Sequence, residues 1–434
     1  MKILHITSHM GGGVGRALSD LIISDIKNEN QILILQKPEK MNFIEKCMKH
    51  SNVKIMICPK REDTDICMQW ADIVIIHWWH HPVMCKWLYD FSDVPVRLII
   101  WSHVSGCTYP YLSFEFFSKF DYLLRTSDYT LENPCWNDMQ RKCVEENSTL
   151  VYGLGFLGKM LPKKKYTIEN ETVKIGYVGT LAKSKLHPDF ALACKKIIEK
   201  VPNVEFYLIG DIKPGKWLKK ELLRSGIDKN VKFVGFVNNV SEWLNKMDIF
   251  GYPLNPYNFA TTENSILEAL ATGLPVVLLN QGTEKYIIND GVDGLLADDI
   301  DQYADYIEKL AKDEQMRRTL GERAAYNVYK KYDFQQNLIC YVSVLEKVMH
   351  HNKSKRVFKD VLGETPYNWF ESAINVRDQE VISKRRWVEL QPIFREESKS
   401  SIFHFAKCYP DDEKLQILSK ELHHVIYHYE SDEG

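Results

Sequence analysis

Short apolar runs, many of them β-branched, recur along the chain at helix-length intervals. The first series comprises Ile3–Ile6, Gln31–Leu35, Ile73–Ile76, Leu98–Trp101 and Tyr122–Leu124. A second series follows at Lys174–Val178, Glu205–Ile209, Lys232–Val234, Ile249–Tyr252, Val276–Leu278 and Gly294–Ala297. Unbroken apolar runs of this length are the pattern of strands covered on both faces, as in a parallel sheet with crossover helices. The pattern therefore predicts two βαβ series and two sheets. Between them, Gly153–Gly158 followed by Lys159 and Lys163–Lys165 has the glycine and charge content of an exposed connector. These signals place one domain at 1–158 and a second at 166–333.

Helical spacing of apolar residues continues through Asp299–Leu310 and Glu314–Lys331, and Phe334–His350 reads as a helix returning toward the first domain. Residues 351–434 differ in character: aromatics dot a polar background, as in Pro366-Tyr367-Asn368-Trp369-Phe370, and Asp411–Tyr429 is helix-like. They read as a helical extension or small third domain with no role legible in the sequence. The sharpest local prediction is a helix capped by Thr262, with Glu263 in its first turn, that Gly273 ends before Pro275 opens the next strand.

Composition adds exclusions. With 45% hydrophobic and 26% charged residues among 434, the chain can build packed cores, so wholesale disorder is excluded. A formal net charge of −2 argues against a nucleic-acid-coating protein and confines any anion site to a local patch. The apolar runs are far shorter than the roughly 18 residues of a membrane span, and His5, Thr7 and Ser8 interrupt the start of the chain, so no signal peptide is expected. Ten scattered cysteines without a CxxC pair fit a reducing cytoplasm. The basic runs Lys163–Lys165 and Lys353-Ser354-Lys355-Arg356 are either solvated charge or a contact with an anionic membrane surface.

Three segments carry candidate chemistry. The first strand runs into Gly11-Gly12-Gly13-Val14-Gly15 at a helix start, which suits either a tight turn or close approach to an anion. It departs from the dinucleotide fingerprint, because Arg16 or Leu18 stands where the third glycine belongs, and it lacks the Lys-Ser/Thr of a P-loop. A nicotinamide-dependent dehydrogenase is therefore disfavoured. His77, Trp78, Trp79, His80 and His81 form a histidine and tryptophan cluster at a strand end, and His103 follows another. No carboxylate stands at helical spacing from these histidines, so the expectation is no metal and instead an aromatic acceptor-lining surface at His77, Trp78 and His80.

Five motifs in order then carry a resemblance: the glycine loop; Gly176-Tyr177-Val178-Gly179-Thr180-Leu181 with Lys185; Leu208-Ile209-Gly210-Asp211; Phe233-Val234-Gly235-Phe236-Val237; and Leu267 to Val277. Across about residues 1–350 the sequence resembles the retaining GT-B glycosyltransferases of the family 4 type, the group 1 glycosyl transferases. The resemblance implies an α/β fold of two Rossmann-like domains facing a cleft, plus the helical extension. It implies transfer of a sugar from a nucleotide-diphosphate sugar, with retention and without a metal or other cofactor, to a glycan, lipid-linked or small-molecule acceptor. It assigns catalytic roles to His103, Lys185 and Glu263, and donor binding to Gly12, Gly13, Thr180, Lys183, Lys185, Phe236, Val237, Asn264, Ser265, Ile266 and Glu268. Glu268 takes the place of the carboxylate that accepts hydrogen bonds from the ribose. Ala260 stands where the family's first glutamate falls, with Glu263 as its substitute, and Thr180 replaces a diphosphate-binding arginine. These departures keep a second reading open, a non-catalytic nucleotide- or sugar-binding GT-B subunit.

Overall fold

The computed structural model describes residues 1–155, 157–158 and 172–432. The basic run Lys163–Lys165 of the expected connector lies outside the described residues. The chain divides into two compact units: residues 1–156, 259–262 and 334–434 form one, and 157–258 with 263–333 form the other.

The first unit holds β1 (Lys2–Thr7), β2 (Glu29–Ile34), β3 (Val53–Ile57), β4 (Ile73–Trp78), β5 (Leu98–Ser102), β6 (Tyr122–Arg125) and β7 (Ser148–Leu150). They form a parallel sheet in the order β3-β2-β1-β4-β5-β6-β7. The expected strands are all present; β3 and β7, at the two edges, went unread. Only Val53 of β3 is fully buried, and β7 is three residues long, so neither carries the continuous apolar run of a central strand.

Alternation along each strand sends side chains to opposite faces. On one face Ile3, Ile75 and Trp101 pack with Leu18, Leu21 and Ile22 of the helix Gly12–Ser24 and with Tyr341, Leu345 and Val348 of the helix Phe334–Met349. On the other, Leu4, Val74, Ile76 and Ile100 share a core with Phe358, Phe370, Phe394, Phe405 and Leu418. Residues beyond 351 are therefore part of the first unit's core and not a separate third body. Polar ties reinforce the join: Tyr409 donates to the Pro82 carbonyl at 2.7 Å, Ser400 to the Trp79 carbonyl at 3.1 Å, and Tyr109 to the Ser400 carbonyl. The second basic run is absorbed in the same way. Lys353 donates to the Ala71 carbonyl at 2.6 Å and Arg356 pairs with Asp121 at 2.5 Å.

The second unit holds β8 (Val173–Val178), β9 (Val204–Ile209), β10 (Val231–Gly235), β11 (Ile249–Tyr252), β12 (Val276–Leu279) and β13 (Leu295–Ala297), all parallel, in the order β10-β9-β8-β11-β12-β13. Its predicted helices occur as Ile300–Lys312 and Glu314–Lys331, capped by the carboxylates of Asp299 and Asp313. The helix Asn264–Ala271 is also present, but its cap differs from expectation. Glu263 occupies the cap position in an extended conformation, without a side-chain cap bond. Thr262 instead donates to the Thr126 carbonyl at 2.8 Å and accepts from the Gly153 amide at 3.2 Å, so its hydroxyl is committed to the first unit. Gly273, at φ +76°, ends the helix as predicted.

Phe370 is fully buried in the core shared by the first sheet and the extension. Phe370→Ala is expected to destabilise the first unit by about 3–5 kcal/mol in urea denaturation, the cost of a large core cavity. A loss below about 1 kcal/mol would contradict a shared core.

Candidate functional site

In the second unit, polar side chains collect where the strands end, the edge at which open α/β sheets meet ligands. Three family-like glycines build the floor there. The Gly179 amide donates to the Ile209 carbonyl at 2.8 Å, and the Gly210 amide to the Gly235 carbonyl at 2.9 Å. Gly210 sits at φ +128°, and a Cβ on it would lie 2.3 Å from the Gly179 carbonyl oxygen. The motif glycines thus permit backbone segments following β8, β9 and β10 to interlock, a role separate from any ligand.

Lys185 follows β8 in a loop braced from beyond β11. Asn255 donates its side-chain amide to the Lys183 carbonyl and its backbone amide to the Lys185 carbonyl, both at 2.8 Å. The Lys185 ammonium reaches Glu263 Oε1 at 2.7 Å, while Tyr252 at the end of β11 donates to Glu263 Oε2 at 3.0 Å and also meets the Ser265 side chain. Tyr177 stacks on Tyr252 at 4.9 Å between ring centroids and donates to the Thr180 carbonyl. Two predicted residues, Lys185 and Glu263, therefore meet directly at the start of the helix Asn264–Ala271.

Behind this pair lies Glu284, fully buried, after β12. Gln281 donates to its Oε1 at 3.3 Å and to the Leu254 carbonyl at 2.8 Å; Glu284 Oε2 has no hydrogen-bond partner among the described residues. Burial pushes the carboxyl up to about 7, against hydrogen bonds that lower it, with Glu263 raising it and Lys185 lowering it. The Asn264 side-chain oxygen is a second buried acceptor at this edge with no hydrogen-bond partner among the described residues.

The other predicted donor residues scatter in exposure. Thr180 and Phe236 are exposed, Val237, Asn264, Ser265 and Glu268 are partly buried, and Ile266 is buried in the core. Ile266 offers a ligand only its backbone. Ala260, buried in the segment that groups with the first unit, carries no carboxylate for Glu263 to duplicate.

In the first unit Gly12 and Gly13 are exposed at the start of their helix, with Gly12 at φ +60°. A Cβ on Gly15 would lie 2.5 Å from the Met10 carbonyl oxygen, so that glycine serves the turn itself. His9 accepts from the Gly11 amide at 3.1 Å and contacts Lys399 Nζ of the extension at 3.1 Å. Burial lowers both groups, His9 to about 4.

The predicted acceptor-lining trio is placed differently from the expectation. Trp78 is 2% exposed and packs on Phe116, and His80 is fully buried between the Trp369 carbonyl at 2.9 Å and the Tyr109 hydroxyl. Trp369 and Phe405 of the extension lie against His80. His77 is fully buried too, and it joins His103: His77 Nδ1 lies 2.9 Å from His103 Nε2, and His77 Nε2 lies 3.1 Å from His5 Nδ1. His5 Nε2 in turn meets Asn30 Oδ1 at 3.1 Å. Among the described residues no group of three or more His, Cys, Asp or Glu side chains is arranged to hold a metal ion.

Sequence reasoning passed over Tyr252, Glu284, His5, Asn30 and Lys399. Position at a strand's C-terminal end was a signal for Tyr252, and proximity to such an end for Glu284. Lys399 had none, since its contact with His9 spans 390 positions.

Residues 172–313 match the family model described as Glycosyl transferases group 1. The capsular polysaccharide biosynthesis glycosyltransferase CapM of Staphylococcus aureus is 28% identical over 179 residues, 40% of this chain and 46% of that protein. The N-acetyl-alpha-D-glucosaminyl L-malate synthase of Bacillus anthracis is 26% identical over 197 residues, 45% of this chain and 51% of that protein. The chain thus spans about half the length of these curated relatives. Among solved structures, Anabaena Alr3699/HepE in complex with UDP and glucose aligns at a TM-score of 0.60 with 16% identity, covering 80% of this chain and all of that one. Sucrose-phosphate synthase from Thermosynechococcus elongatus aligns at 0.59 with 14% identity, over 80% of this chain and 99% of that one. The two Rossmann-like units have the GT-B fold. No helix among the described residues is long and apolar enough to cross a membrane.

The raised carboxyl of Glu284 makes a pH prediction. From about 4.5 to about 7 the unfolded chain has lost this proton while the folded chain keeps it, so the group's contribution falls as pH rises and levels off above 7. Glu284→Gln removes that slope. Its stability relative to wild type is expected to improve by up to about 3 kcal/mol between pH 4.5 and pH 8 in urea denaturation. An unchanged difference at the two pH values would mean the carboxyl is not held neutral.

Proposed function

We propose that this chain, whose residues 172–313 match the group 1 glycosyl transferases, transfers a sugar from a nucleotide-diphosphate donor to an acceptor with retention at the anomeric carbon. The observation that carries this reading is the meeting of Lys185 and Glu263 at the start of the helix Asn264–Ala271, with Glu268 one turn further on. A helix start presents free amides to an anion, and the Lys185 ammonium adds a full positive charge beside it. An incoming diphosphate competes with Glu263 for Lys185, and the ammonium then stabilises the charge that develops on the departing phosphate. Two fixed positive features of this kind can serve the leaving group without a metal. Glu268 accepts hydrogen bonds from the ribose, and the backbone around Phe236 and Val237 packs the nucleobase.

In this reading the acceptor binds the first unit, which holds His103, Gly12 and Gly13. A glycan, lipid-linked or small-molecule acceptor fits the relatives' diversity equally well, and cytoplasmic residence follows from the need for nucleotide sugars. Lys163–Lys165 remain candidates for membrane contact, whereas Lys353 and Arg356 are committed to the fold. A second reading, a nucleotide- or sugar-binding subunit without turnover, is favoured by buried Ala260 in place of a carboxylate and by the engagement of Glu263 with Lys185.

A thermal-shift screen with nucleoside diphosphates in EDTA is expected to find one that stabilises the chain, by about 2.7 kcal/mol at one hundred times its dissociation constant. Glu268→Ala should weaken that nucleotide by about 10- to 100-fold, the loss of hydrogen bonds to a charged acceptor. Lys185→Ala should lower turnover of the matching nucleotide sugar by about 100-fold, the order seen for removal of one electrostatic stabiliser. Binding with no turnover of any sugar would favour the second reading, and undiminished binding by Glu268→Ala would overturn the site.

A further inference from the structure

Four polar side chains cross the first sheet in a single diagonal. Asn30 lies on β2, His5 on β1, His77 on β4 and His103 just after β5, one on each of four neighbouring strands. The register explains the line. Asn30 is opposite Ile3, His5 opposite Ile75, and His77 opposite Trp101. Each step to the next strand therefore advances two residues, which keeps every side chain on the same face while climbing toward the C-terminal edge. Asn30 is 1% exposed and His5 and His77 are fully buried, so each link must satisfy the next.

The hydrogen bonds have a direction, and its origin is Asn30. The Asn30 side-chain NH2 donates to the Asn28 carbonyl at 3.3 Å, an atom that can only accept, so Asn30 Oδ1 faces His5 as an acceptor. His5 must then carry its proton on Nε2 and offer Nδ1 as a lone pair. His77 Nε2–H donates to that lone pair, and His77 Nδ1 receives the proton of His103 Nε2. Burial holds all three rings in the neutral state, His5 at about 4 and His103 at about 3, with His77 also lowered by its histidine neighbours. A neutral ring has one proton, so His103 Nδ1 is left bare and has no hydrogen-bond partner among the described residues.

We infer that Asn30, His5 and His77 are positioning residues that fix the tautomer of His103, so that its Nδ1 presents a hydrogen-bond acceptor to a hydroxyl of the ligand. The hydroxyl belongs to a sugar, an identity that rests on the glycosyltransferase reading; the tautomer does not. A histidine free to exchange tautomers would present the correct face for only part of the time, and the buried chain removes that choice.

The test is a long-range proton–nitrogen correlation spectrum of the full chain with 15N-labelled histidine, near pH 7.5 and without ligand, assigned by single His→Gln variants. His5, His77 and His103 are expected to show protonated Nε2 and unprotonated Nδ1. In His5→Phe and Asn30→Leu, which cut the chain away from His103, the His103 nitrogens should shift toward the average of two tautomers. A protonated His103 Nδ1 in the wild type overturns the proposal, and that spectrum needs no variant to fold. An unchanged His103 pattern in both folded variants overturns it as well. Once a sugar donor is known, His5→Phe should lower kcat/KM by about tenfold, the loss of one hydrogen bond, with the nucleotide dissociation constant unchanged. An undiminished kcat/KM would overturn the relay's part in catalysis. If no sugar nucleotide binds, the glycosyltransferase reading fails and the spectrum still decides the tautomer.

Discussion

A polar atom shut inside a parallel sheet covered on both faces has no water to turn to, and another polar atom must answer it. That constraint governs both units. In the first, it strings Asn30, His5, His77 and His103 into one directed chain. In the second, it pairs Lys185 with Glu263, seats Tyr252 against the same carboxylate and pushes the buried Glu284 carboxyl up to about 7. The unanswered atoms that remain at the second unit's edge, Glu284 Oε2 and Asn264 Oδ1, lie where the sheet gives out and helix amides begin.

The glycines answer a different demand. Gly179, Gly210 and Gly235 allow three successive chain segments to hydrogen-bond through their backbones after the strands end, an approach that a side chain on Gly210 would block. The floor of the candidate site is therefore backbone, and the chemistry stands on the side chains rising beside it. Thr180 lends its carbonyl to Tyr177 in that floor. Lys185 is a cation that the helix start has beside it.

What could be read from the sequence followed from the same physics. Central strands announce themselves because burial on both faces writes a continuous apolar run, and the order of glycine motifs located the loops that follow them. The edge strands Val53–Ile57 and Ser148–Leu150 are half solvated or short and write no such run. Lys185 and Glu263 were legible one by one, and their contact across 78 positions was not. The acceptor-facing expectation for Trp78 and His80 failed because nothing local reveals that Trp78 packs on Phe116 or that Trp369 and Phe405 come back against His80. The cap at Thr262 failed for a related reason: a hydroxyl that suits a helix end found its partner at Thr126 instead. His77 and His103 were noticed as residues, but their direction depends on Asn30, which no motif contains.

The first unit is discontinuous in the chain, with residues 1–156 and 334–434 sharing one sheet and core, while the second unit is made of residues 157–258 and 263–333, interrupted only by 259–262. A ribosome emits these segments in order, at roughly 5–20 residues per second. The apolar face formed by Leu4, Val74, Ile76 and Ile100 must therefore wait for Phe358, Phe370 and Phe405, which leave the ribosome after the second unit is already complete. The half that is synthesised first is the half whose core closes last.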